Sequence, residues 1–302
     1  MRRPLALLSV LALAACGGGT PVDPGPPPDI KLDQANKAGT QALSMDLPSV
    51  AVRQYKVALS RAYERDDAGA IGDVAYNLAL AQMKAGDSKG AVATAREARA
   101  ELVRRRAAVP PELILVQSAA SYRTGDLGAA ASAAQEVIDS GAKDPDAVRR
   151  AWFIRGLVAA DRSDAAGLAQ AIAALTPPTK QADLEADRQE LQGRAALLAG
   201  DSAGALSLLE QSASNRQQAL DYRGMARALS LAGDAALRSG RAADAADLFL
   251  RAGRSALLQG DTATATPLLK RAEDLGKQTG QTSIVEEVVR LRRVTAAQPA
   301  KT

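Results

Sequence analysis

The sequence predicts an all-α fold, an α-solenoid of about six helix–turn–helix repeats closed by C-terminal capping helices, and three observations carry that prediction. Small and apolar residues recur at helical spacing on both sides of a tight Gly86-Asp87 turn, with Leu78, Ala79 and Gln82 before it and Ala91, Ala95 and Ala98 after it. The pattern then returns along the chain. Ala51, Ala91, Ala130, Leu168, Ala205 and Ala245 each open the buried face of a second helix, at steps of 40, 39, 38, 37 and 40 residues. Four and seven residues later come Tyr55/Ala58, Ala95/Ala98, Ala134/Val137, Ile172/Leu175, Leu209/Ser212 and Phe249/Ala252, and five of the six units keep both positions apolar. Composition agrees: hydrophobic residues make up 47% of the chain but aromatics only 3%, so the core is built from Ala, Leu and Val. Such a core suits close-packed helices and argues against an aromatic-rich sandwich or barrel.

The spacing around Gly86 resembles the tetratricopeptide repeat, a helix–turn–helix unit with a small residue, a glycine at the turn, and a small–aliphatic–Ala pattern on the second helix. The period is longer than the usual repeat, so helices or turns must be extended by about one turn. In order, the first unit covers about Ile30 to Arg65, turning at Asp46-Leu-Pro-Ser49 with Ser49 as the expected N-cap. The second is the stretch already described. The third starts at Pro110-Pro111, where proline suits a first helical turn, and turns at Gly125-Asp126. In the fourth, Trp152 and Gly156 fall where the resemblance places a Trp and a Gly. Trp152 is expected to pack between helices, with ligand stacking as the alternative, and Gly156 to permit a close crossing. Pro177-Pro178 ends that unit. The fifth has Gly193 and the turn Gly200-Asp201; the sixth has Gly233 and Gly240. Ala256 to Ala265 echoes Ala196 to Ala205, so a helix from about Ala242 to Gln259 can close one unit and open the next. A helix near Thr262–Lys277 follows, then an amphipathic cap over Ser283–Val294 with Glu286, Glu287, Arg290, Arg292 and Arg293 outside. Each Gly-Asp turn has a local reason: glycine takes the left-handed conformation that ends a helix, and the next polar residue caps the following one.

The chain divides into a signal peptide (1–15), a tether (16–28), the helical repeat domain (29–294) and a tail expected to be disordered (295–302). Arg2-Arg3 precede an apolar run from Pro4 to Ala14, too short to span a bilayer, where roughly 20 residues are needed. Leu13-Ala-Ala-Cys16 resembles the lipobox of bacterial lipoproteins. The resemblance implies that the Cys16 thiol carries diacylglycerol and that its amine is acylated after cleavage, anchoring the chain to a membrane; an ordinary secretory signal is the alternative. Cys16 is the only cysteine, so no intrachain disulfide can form. Gly17 after the Cys implies, in Gram-negative families, an outer-membrane anchor facing the periplasm; otherwise the outer face of the cytoplasmic membrane is implied. Gly17 to Pro28 reads as a flexible, then extended tether, reaching roughly 35 Å or less at about 3.1 Å per residue.

Several function classes drop out. The formal charge is +4, and removing Arg2 and Arg3 from 38 basic residues leaves 36 against 34 acidic ones, too balanced for nucleic-acid binding. Histidine is absent, which takes away the commonest general base and metal ligand, and acylated Cys16 offers no thiolate. No cofactor or metal site and no enzyme is expected, although a carboxylate pair brought together by the fold could act on a glycan.

What remains is surface. The tetratricopeptide resemblance implies that first helices line a concave groove for a peptide or helix, and maps its positions onto Tyr76, Leu80 and Met83, then Tyr122 and Arg123. The fourth unit adds Arg150, Phe153 and Leu157, the fifth Arg194 and Leu197, the sixth Arg227 and Arg238. Such a groove would suit a partner segment with apolar anchors and acidic residues. Of the lysine-and-asparagine clamp that some members use for a chain terminus, only Asn77 and Lys84 are present. The expected function is therefore a lipid-anchored scaffold binding other envelope proteins or peptides. Pilotin-type factors of type IV pili, outer-membrane assembly factors and activators of peptidoglycan synthases have similar architectures. A small-ligand or glycan-binding envelope lipoprotein is the competing reading.

Overall fold

The computed structural model describes residues 27–141, 144–176 and 178–297. Among them are fourteen helices and no strand. The helices are α1 (Ile30–Ser44), α2 (Pro48–Glu64), α3 (Ala68–Lys84), α4 (Ser88–Arg104), α5 (Pro111–Arg123), α6 (Leu127–Asp139) and α7 (Pro145–Asp161). After them come α8 (Ala165–Ala174), α9 (Ala182–Leu198), α10 (Ser202–Gln218), α11 (Tyr222–Arg238), α12 (Ala242–Leu258), α13 (Thr262–Gln278) and α14 (Thr282–Ala297). They pair as six antiparallel hairpins, α1–α2 to α11–α12, with α13 and α14 capping the end. Cys16, the signal segment, nearly all of the tether, Pro177 and residues 298–302 lie outside the described residues.

The repeat register survives in three dimensions. Ala51, Ala91, Ala130, Ala205 and Ala245 are fully buried and Leu168 nearly so. The residue four further on is fully or almost fully buried in every unit except the fourth, where Ile172 is half-buried beside a fully buried Ala171. Ser212, the polar exception, is reconciled with its burial by donating to the Ala186 carbonyl at 2.9 Å.

Hairpin spacing is set by pairs of unequal size. A Cβ on Gly39 would lie 2.7 Å from the Tyr55 ring, one on Gly193 2.6 Å from Leu209, one on Gly233 2.6 Å from Phe249, and one on Gly253 2.8 Å from Leu269. In each pair the large residue follows the glycine by sixteen positions. At the same offset Ala79 stands with Ala95 and Ser118 with Ala134, all fully buried. Large against nothing, or small against small, keeps the two helices close enough to interlock. Gly156 of α7 allows close approach both within the fourth hairpin and to the fifth, since an added Cβ would come within 3.0 Å of Ala171 on α8 and strike Leu191 on α9. The Gly253–Leu269 pair lies between α12 and α13, so α12 indeed serves two hairpins at once.

Turns are as compact as the sequence requires. At Gly86 the backbone is left-handed (φ +87°), the Asp87 N–H donates to Gln82 O at 2.8 Å, and the Asp87 carboxylate accepts from the Gly90 N–H at 2.8 Å. Asp67, Asp126, Asp164, Asp201, Asp221 and Asp261 cap helices in the same way. The first turn differs from expectation. Leu47 is the N-cap of α2, Pro48 opens the helix and Ser49 lies inside it, because proline's fixed φ places the helix start one residue ahead of the serine.

First helices touch one another in series, α3 with α5, α5 with α7, α7 with α9 and α9 with α11, and so line one continuous inner surface. Paired charges secure the start of α1. Asp29 caps α1 through the Lys31 and Leu32 amides and pairs with Arg61 at 2.8 Å and Arg65 at 3.3 Å; the Leu32 amide first, then the two guanidiniums, hold its carboxyl down at about 2. At the other end α14 runs on to Ala297, burying Ile284 and Val288 and leaving Glu286, Arg290, Arg292 and Arg293 exposed.

Candidate partner-binding face

All the residues expected on the groove lie on first helices, but the structure uses them in three ways. Tyr76, Leu80, Met83 and Leu197 remain half-buried. Phe153 and Leu157 are buried with Leu168, Leu175 and Leu191 in the core of the fourth unit. Trp152 packs half-buried against that cluster, with the Arg155 guanidinium 5.8 Å from its ring centre. The arginines are mostly engaged: Arg150 pairs with Asp183, and Arg238 donates to Leu197 O at 3.4 Å.

The third use is a buried ion network that joins four units. Its centre is Glu190 of α9, with no exposed surface. Arg227 of α11 grips it through two hydrogen bonds of 2.7 and 2.9 Å, Arg216 of α10 donates at 2.7 Å, and Arg194 one turn along α9 at 3.3 Å. Arg216 reaches Asp187 at 2.9 Å and Asp221 at 2.7 Å as well. Its Nε makes no hydrogen bond, and the guanidinium lies 5.4 Å from the Phe153 ring, with Arg227 at 5.7 Å from the same ring. Outward from Glu190, Arg194 pairs with Asp161 of α7 at 3.0 Å, and the Tyr122 hydroxyl of α5 donates to that Asp161 at 2.7 Å.

Electrostatics follow from this packing. Burial alone would raise the Glu190 carboxyl, but Arg227 and Arg216 outweigh it and hold the group well below the carboxylate range. Asp187 goes the other way: burial, with the Glu190 charge beside it, lifts its carboxyl to about 6 against the pull of Arg216. Burial and the bond to Asp161 push the Tyr122 hydroxyl up to about 12.

Asp161, Asp187, Glu190, Arg216 and Arg223 escape pattern reading, yet a signal exists. Asp187 and Glu190 sit in α9 among Leu184, Ala186 and Leu191, and Arg216 continues the Ala205–Leu209–Ser212 face of α10. Charges in the buried phase of facing helices mark a buried ion pair.

Arg223 of α11 reaches across the inside of the coil. Its guanidinium donates to Met83 O at 3.0 Å and Lys84 O at 2.8 Å, at the C-terminal end of α3 about 140 residues earlier in the chain. Arg123 of α5 donates to the same Met83 carbonyl at 3.0 Å. The array therefore curls far enough for the sixth unit to meet the second. Away from this face, an open groove of about 860 Å³ lies over α5, α6 and α7, lined in part by Ile114, Gln135, Glu136 and Arg155. Among the described residues no group of three or more potential ligating side chains is placed to hold a metal ion, and no helix is long and apolar enough to cross a membrane.

No protein-family model matches the chain, and no curated protein matches it in sequence. Solved structures do. A tetratricopeptide repeat protein from Parabacteroides merdae ATCC 43184 aligns with a TM-score of 0.52 at 13% identity, over 86% of this chain and 98% of that one. Rap protein complexed with Competence and Sporulation Factor gives 0.52 at 12% identity, over 89% and 99%. A signal-transduction ATPase of the STAND class with a tetratricopeptide repeat sensor, from Pyrococcus horikoshii, gives 0.51 at 12% identity, over 85% of this chain and 43% of that one. At these identities the likeness is one of fold: the chain is a tetratricopeptide-type α-solenoid.

Proposed function

We propose that the chain is a scaffold that binds a protein or peptide partner along its inner face, held by a lipid on Cys16 in a bacterial cell envelope and serving the assembly of a pilus, secretion or outer-membrane complex. The observation that carries the binding role is the continuous row of first helices from α3 to α11, on which Tyr76, Leu80, Met83 and Leu197 are half-buried and Arg123, in contact with Met83, is exposed. Half-buried aromatic and aliphatic side chains next to arginine are what an interface core is made of. A complex of the same fold, Rap protein with Competence and Sporulation Factor, supports the reading by analogy of architecture. The membrane anchor rests on Leu13-Ala-Ala-Cys16 and the Gly/Pro tether.

Two measurements test the two halves. A photo-crosslinking residue in place of Leu80 in living cells should yield an adduct with one envelope protein, lost when Tyr76→Ala and Leu197→Ala are added; an adduct pattern indifferent to those changes removes the inner face from the proposal. Cys16→Ser should move the chain from the membrane fraction to the soluble one, and unaltered sedimentation with membranes refutes the anchor.

A further inference from the structure

We propose that Arg123 and Arg223 form a clasp for an acidic side chain of the partner segment, at the place where the coil closes on itself. Neither guanidinium makes an ion pair among the described residues, and both converge on one neutral acceptor, the Met83 carbonyl, at 3.0 Å each. Two like charges on a single carbonyl oxygen is an arrangement that an anion improves. Burial first, then the neighbouring Arg223, pulls the Arg123 guanidinium below its ordinary value, which registers the crowding of positive charge. Arg227, also near, has its charge committed to Glu190. Asp261 is the acidic group in range, and its carboxylate is occupied in capping α13 through the Thr264 amide at 3.1 Å and hydroxyl at 2.9 Å. The remaining attraction comes from the carbonyl end of α3, which carries only a partial negative charge.

A carboxylate placed between the two guanidiniums would accept charge-assisted, fork-type hydrogen bonds stronger than those the Met83 and Lys84 carbonyls now receive. Arg123 is exposed and Arg223 half-buried, so the site is open to such a group. Because Arg123 stands on α5 and Arg223 on α11, a bound acidic residue would tie the third unit to the sixth and fix the pitch of the coil around the partner. The clasp deepens the scaffold proposal, and rests on it for the claim that the carboxylate belongs to a protein.

The probe is a fluorescent tetraglutamate peptide with both ends blocked, titrated at low salt into the soluble Cys16→Ser chain. Saturable binding is expected, weakened about tenfold or more by Arg123→Gln and by Arg223→Gln, unchanged by Arg241→Gln on the exposed surface, and absent for tetraglutamine. Arg123 is exposed and its variant is expected to fold, with helicity checked by circular dichroism. Binding that is undetectable in the parent chain, or as tight in both clasp variants as in the parent, overturns the proposal. Inorganic phosphate displacing the peptide at concentrations where acetate does not would overturn the carboxylate assignment. Crosslinking from Leu80 reads the scaffold role without the clasp, so the two can fail separately.

Discussion

The second and fifth units share one backbone plan and are filled in opposite ways. Between α3 and α4 the interior is Ile71, Val74, Leu78, Ala79, Ala91, Ala95, Ala98 and Leu102, all at most 3% exposed, with Gln82 as its one buried polar side chain, bonded to Thr94 at 2.9 Å. Between α9 and α10 the packing positions are equally tight, yet Asp187, Glu190 and Arg216 are buried among them. The difference shows which part of a repeat fixes the fold. Ala91 and Ala205, and the pairs sixteen residues apart, set the hairpin; the rest of the first helix can carry charge provided every charge finds a partner. It also shows what the charge adds. An apolar core joins a unit to its immediate neighbours, whereas the Glu190 network runs from Tyr122 in the third unit to Arg227 in the sixth.

The sharpest way to break that contrast is Glu190→Ala, which leaves Arg194, Arg216 and Arg227 facing a hole in a buried site. The expected loss is about 3–5 kcal/mol. Gln82→Ala in the second unit should cost about 1 kcal/mol, the worth of one ordinary hydrogen bond. Urea unfolding followed through Trp152, the single tryptophan, reads the first change from the adjacent unit. A cost for Glu190→Ala no larger than for Gln82→Ala would mean the network is not what holds these units together. Next comes Gly233→Leu, which forces a side chain into the Phe249 ring and should cost about 1–3 kcal/mol. Adding Phe249→Ala should recover part of that loss if the pair sets the spacing, and additive losses would argue that it does not.

A smaller effect comes from pH, and the two buried carboxylates act with opposite signs. Glu190, held low when folded, contributes stability that is complete above its unfolded value of 4.5 and is lost as the pH falls through its folded value. Asp187, lifted to about 6 from 3.8, costs stability above pH 6 and is relieved as it takes up a proton between those values. The fifth unit should therefore be most resistant to urea between about pH 4.5 and 6, and Asp187→Asn should flatten the rise that occurs on acidification from pH 7. An unchanged urea midpoint across that range in the parent chain would argue against a buried, ionised Asp187.

How much of this was readable beforehand divides along the same line. The helix pairs were legible because Ala91, Ala130 or Ala245 can do one thing only at its position, and Gly-Asp turns announce themselves. The array ran to six units and a capping pair as its period implied. The site was less legible. The resemblance chose positions that all lie on first helices but could not tell Leu80, left half-buried, from Leu157, closed over by the core around α7. That outcome depends on contacts between units, and so on the curvature of the coil, which no local spacing encodes. Arg223 is the extreme case, since its partners lie about 140 residues away.

The turns give the smallest test of the same idea. Gly200 ends α9 at φ +82° and Leu220 ends α10 at φ +57°, each followed by an aspartate that caps the next helix. The first is visible in the sequence and the second is not, because Leu220 adopts a conformation that an L side chain resists. Leu220 is 70% exposed, so its side chain gains little from packing to offset that strain. Leu220→Gly should raise stability by about 0.5–1 kcal/mol, the relief of strain exceeding glycine's added freedom in the unfolded chain. Asp221 must still cap α11 and hold Arg216, so circular dichroism should show the same helicity. A loss of stability instead would mean that Leu220 makes a contact worth more than its strain, and that this turn, unlike the one at Gly200, is specified by its side chain.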